Sequence, residues 1–138
     1  MLRQIAARHG VTSRLRFEAP VAFDQIVPAA NQADIGYFVH EEAGPQKRFA
    51  LPNKFFEYVM AGLAVCVSDL PEMTALVNQY QLGRLVPQFN EAAIAAAING
   101  FDREAIDRMK RHSMVAALEL NWDAEQQVML DLYRELVA

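Results

Sequence analysis

The chain predicts an α/β domain: a parallel sheet of about four strands flanked by helices and closed by a C-terminal helical tail. Two runs, Ile35-Gly-Tyr-Phe-Val39 and Ala64-Val-Cys-Val-Ser68, have the length and apolar character of buried strands. Segments with helical periodicity separate the strand-like runs, the arrangement that produces parallel pairing. Beyond Asn90 every segment patterns as helix. At 138 residues the chain fits one domain.

The elements follow in order. Residues 2 to 9 pattern as a helix, with Leu2, Ile5 and Ala6 on one face and Gly10 as the stop. Arg14 to Phe17 alternates like a strand, and Ala19-Pro20-Val21 breaks it. Asp24 to Ala33 reads as a second helix, weakened or kinked at Pro28. After the strand at 35 to 39 comes a polar loop, His40 to Ala50, with Glu41, Glu42, Gly44 and Pro45. A helix from about Pro52 to Ala61 leads into the strand Ala64 to Ser68. Pro71 to Tyr80 is helical and Gly83 to Val86 is a short strand. Helices over Glu91 to Ile98, Arg103 to Leu118 and Asp123 to Val137 complete the chain.

Composition narrows the function classes. The hydrophobic fraction is 53% and the charged fraction 22%, which describes a core-forming globular sequence. A net charge of −4 argues against nucleic acid or anionic lipid as the main partner, so an anionic ligand needs local positive charge. Cys66 is the only cysteine; it excludes an internal disulfide, suits a reducing compartment and reads as a small buried hydrophobe. The start, Met-Leu-Arg-Gln-Ile-Ala-Ala-Arg-His, mixes charges into a helical pattern unlike a signal peptide. The longest low-polarity run, Ala92 to Ile98, falls far short of the ~20 residues that span a bilayer. The expected location is the cytoplasm, with the periphery of the inner membrane as a second placement. No His, Cys or Asp cluster has metal-ligand spacing, so neither a protein-built metal site nor a cofactor is expected.

Residues 51 to 68 carry the most chemical information. Pro52 suits the first position of a helix, whose early amides and positive dipole end favour an anion. Lys47, Arg48 and Lys54 cluster there with no acid between them. Glu57 lies one turn inside, on the face of Asn53 and near that of Lys54. A carboxylate only accepts hydrogen bonds, and its two oxygens suit the paired hydroxyls of a ribose. The plainer alternative is an i, i+3 surface ion pair between Lys54 and Glu57. His40, after a strand, is a candidate for proton transfer or phosphate contact, against the plain reading of a solvated loop histidine.

Leu51 to Ser68 resembles the signature of the retaining, GT-B-fold glycosyltransferases of the large group 1 family, with Glu57, Gly62, Val65 and Ser68 in register. Arg16 to Ile26 is similar to the strand and turn that approach the nucleotide base, and Ala33 to Tyr37 to the strand after it. Leu82 to Val86, Asn121-Trp122 and Leu132-Tyr133 follow in the family's order, so the resemblance covers nearly the whole chain. It implies an incomplete Rossmann-like sheet and a nucleoside-diphosphate sugar as donor. It also implies that a complete enzyme transfers the sugar to an acceptor hydroxyl, the acceptor itself being unknown. By the same resemblance, Glu57 binds the ribose hydroxyls, Asn53 and Lys54 face the diphosphate or sugar, and backbone at Pro20 and Val21 borders the base. No catalytic residue is assigned.

The sequence departs from the family at defined places. Phe49 stands where many members carry a second carboxylate, Ala19 where glycine is usual and Ala64 where proline is usual. Nothing corresponds to the first two βα units or to the acceptor-binding N-terminal half. The isolated chain is therefore expected to be inactive, self-associating or paired with the missing half. In the sheet order 3-2-1-4-5-6, segments 14 to 17 and 35 to 39 would be strands three and four. Omitting strands one and two would leave a gap between them roughly 10 Å wider than the ~4.8 Å of a normal pairing. A non-catalytic nucleotide-binding or regulatory module of the same fold is the alternative function. A receiver-type phosphorelay domain is disfavoured, because only Glu18 follows Phe17 where an acidic pair is needed.

Overall fold

Three apolar runs become three strands, and they lie side by side in chain order. In the computed structural model, which describes residues 1–137, β1 (Ile35–Phe38), β2 (Ala64–Ser68) and β3 (Gly83–Val86) form a parallel sheet of order β1-β2-β3. Ile35 pairs with Ala64, and Val65 with Gly83. Around the sheet stand α1 (Leu2–Arg8), α2 (Ile26–Ala30), α3 (Pro45–Arg48), α4 (Asn53–Met60), α5 (Pro71–Tyr80), α6 (Glu91–Asn99), α7 (Arg103–Ala116) and α8 (Trp122–Val137). The α/β architecture with parallel strands and a helical tail is as the sequence predicts.

β2 is central, and all five of its residues are buried. On one face Val65 and Val67 pack with Phe55 and Val59 of α4, Met73 and Val77 of α5, and Ala116 of α7. On the other, Cys66 and Val86 pack with Ala97 of α6, flanked by Ile94 and Phe101. Tyr37, in register with Cys66, is still 42% exposed, so that second cover thins over β1. Buried Ser113 of α7 donates to the Leu63 carbonyl at 2.6 Å, which ties α7 to the start of β2.

Two glycines set the position of α4. At Gly36 a side-chain carbon would run into the Tyr58 ring, so glycine lets α4 lie directly on β1. At Gly62, φ is +67°, a left-handed value that ends the helix and turns the chain into β2.

Several boundaries differ from expectation. Residues 14 to 17 form no strand: Thr12–Arg14 is a single 3-10 turn, and the chain from Leu15 is extended but unpaired. Alternation is local, whereas a strand needs a neighbour, and residues 14 to 17 pair with neither of the sheet's two edge strands, β1 and β3. The two-strand gap therefore does not arise, and the sheet is continuous with β1 as an open edge. The helix expected over Asp24 to Ala33 is shorter, a 3-10 turn at Phe23–Gln25 followed by α2, with Pro28 inside it. Pro52 caps α4 rather than opening it, and the loop after β1 contains α3. Among the described residues, no helix is long and apolar enough to cross a membrane.

Candidate functional site

The β1–α4–β2 crossover brings the N-terminus of α4 to the C-terminal ends of the strands, where open parallel sheets bind ligands. There the strand ends are joined by one hydroxyl. Ser68 Oγ accepts from the His40 amide at 2.8 Å and donates to the His40 carbonyl at 3.0 Å. The His40 ring packs edge-on against Phe38, with centroids 5.4 Å apart, and Nδ1 sits 3.1 Å from the Glu41 carbonyl. Ser68 and His40 thus serve the architecture of the strand tips.

α4 divides into two faces. Phe55 and Val59 enter the core, while Asn53, Phe56, Glu57 and Met60 line an open groove of about 840 Å³. Leu51, Phe23 and the α7–α8 corner, with Leu120, Trp122 and Glu125, form the remaining walls. A second recess of about 320 Å³ is lined by Phe23, Asp24, Ile26, Val27, Glu57 and Met60. Phe23, Glu57 and Met60 belong to both. Glu57 is half-buried, and among the described residues it forms no ion pair. The i, i+3 pairing with Lys54 is thus not formed.

Local hydrogen bonds hold the walls in place. Asn31 Nδ2 donates to the Ala61 carbonyl at 2.8 Å, fastening the end of α2 to the end of α4. Asn121 Oδ1 accepts from the Ala124 amide at 3.0 Å and caps α8, while its Nδ2 donates to Ala117 O at 2.8 Å. Those two bonds fix the corner from which Trp122 and Glu125 reach the groove. Beside Glu57, Tyr58 donates its phenol to the Tyr37 carbonyl at 3.2 Å. Burial, reinforced by the Glu57 carboxylate, raises the pKa of that phenol and keeps it a donor.

The groove is apolar with acidic accents. Among the described residues, its charged walls are Asp24, Glu57 and Glu125, and no basic side chain lines either recess. Of the residues singled out from sequence, Glu57 and Asn53 meet in the larger recess. Lys54 is exposed on the same helix outside it, Pro20 and Val21 are exposed in the preceding extended segment, and His40 stands at the strand tips. Arg48 spends its charge on Glu42, at 3.2 Å. Phe23, Asp24, Trp122 and Glu125 join the site without a sequence signal of their own beyond Asn121-Trp122, a helix cap followed by a large aromatic. Among the described residues, no group of His, Cys, Asp and Glu could hold a metal ion.

No protein-family model, curated protein or solved structure matches the chain. The chemistry of the groove therefore rests on its own residues.

Proposed function

We propose that the groove binds the nucleoside half of a nucleoside-diphosphate sugar, and that the chain is the donor-binding part of a glycosyltransferase. The observation that carries this reading is Glu57: a half-buried carboxylate without a cationic partner, common to both recesses and flanked by aromatic rings. Its two oxygens accept from the ribose hydroxyls. Phe23 and Trp122, 87% and 66% exposed, offer ring faces on which a base stacks. The diphosphate leaves the groove toward the α4 N-terminus, which no side chain caps, with Lys54 beside it. In the transfer step, cationic groups and helix amides stabilise the departing diphosphate.

A second reading has an observation in its favour. With no basic side chain in either recess among the described residues, and Phe49 in place of an acid, the chain suits nucleotide binding without sugar transfer. Release of free sugar from a bound donor supports transfer, whereas binding without release supports the non-catalytic module.

Calorimetric titration with nucleoside diphosphates tests the shared core of both. Charge-assisted hydrogen bonds contribute about 1.5–3 kcal/mol, so Glu57→Ala should weaken binding roughly 10- to 150-fold. An analogue lacking the ribose hydroxyls should bind wild type and variant equally weakly. Unchanged affinity in the variant refutes the ribose role.

A further inference from the structure

The groove is better supplied with acceptors than with donors. Among the described residues, Asp24, Glu57 and Glu125 are the charged groups that line the two recesses, and each ionised carboxylate only accepts. Side-chain donors are fewer. Asn121 lines the larger recess but is engaged with the backbone, donating to Ala117 O at 2.8 Å and accepting from the Ala124 amide at 3.0 Å. That leaves the Asn53 amide, at the start of α4, and the Trp122 indole N–H. A ligand that fits these walls brings its own donors.

The three carboxylates are not equivalent. On the nucleotide reading, on which this inference rests, Glu57 is occupied by the ribose. Asp24 lines the smaller recess only, and it already accepts from Gln25 Nε2 at 3.3 Å. Among the described residues, the Glu125 carboxylate forms no ion pair and no side-chain hydrogen bond. Glu125 follows Trp122 at i, i+3 spacing in α8, which makes the two side chains neighbours on the helix surface, about 5–6 Å apart at Cβ. Both line the larger recess. A base lying on the exposed Trp122 ring therefore brings its edge to the Glu125 carboxylate.

That edge is what distinguishes the bases. Guanine alone sets two donors side by side, N1–H and the 2-amino group, and the two oxygens of a carboxylate accept from both. Adenine and cytosine set one amino donor beside a ring-nitrogen acceptor, and uracil sets its single N–H between two carbonyls. Against an acceptor-only partner, each of those three turns an acceptor toward negative charge. We infer that the groove selects guanine, with Trp122 as the surface on which the base stacks and Glu125 as the side chain that reads its edge. The donor is then a guanosine-diphosphate sugar.

Calorimetric titration with the diphosphates of guanosine, inosine, adenosine and uridine separates the choice of base from nucleotide binding as such. The wild-type protein should bind guanosine diphosphate about tenfold tighter than the adenosine or uridine compound. It should also prefer it to inosine diphosphate, which lacks only the 2-amino group. Glu125→Gln exchanges one acceptor oxygen for an amide donor, which matches the adenine edge and opposes the guanine edge. In that variant the guanosine-to-adenosine affinity ratio should fall about tenfold, with adenosine diphosphate bound more tightly than by wild type. A misfolded variant cannot give such a gain. Equal affinities of wild type for the four diphosphates, or an unchanged ratio in Glu125→Gln, overturn the guanine assignment and leave nucleotide binding standing. Failure of all four to bind overturns the nucleotide reading, and the guanine assignment with it.

Discussion

Gly36→Ala tests how closely α4 must lie on β1. A Cβ added at Gly36 would stand 2.5 Å from Tyr58 Cδ2 and 2.7 Å from Tyr58 Cβ, where carbon contacts prefer about 3.5–4.0 Å. Turning the Tyr58 ring relieves the first contact but not the second, because Cβ is fixed to the helix backbone. α4 must therefore move off the sheet by about 1 Å, and overpacking of this kind costs about 1–3 kcal/mol. Urea unfolding monitored by circular dichroism should show that loss as a lower midpoint with an unchanged slope. Tyr58→Ala removes the ring and its hydrogen bond to Tyr37, so it destabilises by itself. Yet it also removes part of the clash, and the double variant should cost less than the sum of the singles by about 1 kcal/mol. The same displacement shifts Glu57 relative to Phe23, so on the proposed nucleotide reading affinity should fall in Gly36→Ala. A Gly36→Ala protein within about 0.5 kcal/mol of wild type, or strict additivity in the cycle, refutes the close-packing argument.

Two further outcomes follow from the packing of α7. Ser113→Ala removes the buried hydroxyl that donates to Leu63 O and leaves that carbonyl without its partner, at a cost of about 1–3 kcal/mol in chemical denaturation. At the foot of β1, Lys110 Nζ lies 3.0 Å and Arg103 Nη1 3.3 Å from the Asp34 carboxylate, and the Lys110 hydrogen bond in particular holds its pKa below the ordinary 3.8. A lowered folded-state value gives stability that is fully present above the unfolded value and lost as pH falls through the folded one. Unfolding curves measured from neutral pH to below pH 3.8 should therefore fall less steeply for Asp34→Asn than for wild type. Equal slopes in that window mean that the Asp34 cluster contributes nothing to the acid response.

The sheet is legible because its signal is dense: β2 is apolar up to its last residue, Ser68, and bounded by Gly62 and Asp69, and β3 follows a helix that begins at Pro71. The segment Arg14 to Phe17 was misleading because alternation describes one strand, while a ladder requires two. At the site, Glu57 and Asn53 were reachable since helical spacing alone puts them on one face. Lys54 sits one residue round the same helix, and only the rotation of α4 imposed by Phe55 and Val59 decides that it misses the groove. Phe23 and Trp122 lie 99 positions apart in the chain, and no local pattern announces that they line the same groove.

The strand order β1-β2-β3 governs how the domain can assemble. Ile35 meets Ala64 across 29 positions and Val65 meets Gly83 across 18, a difference in chain closure worth only ~0.4 kcal/mol. Chain length thus sets no strong preference for which crossover forms first. Both outer strands wait instead on β2, whose burial in the two apolar clusters makes it the one segment that neither half of the domain can do without.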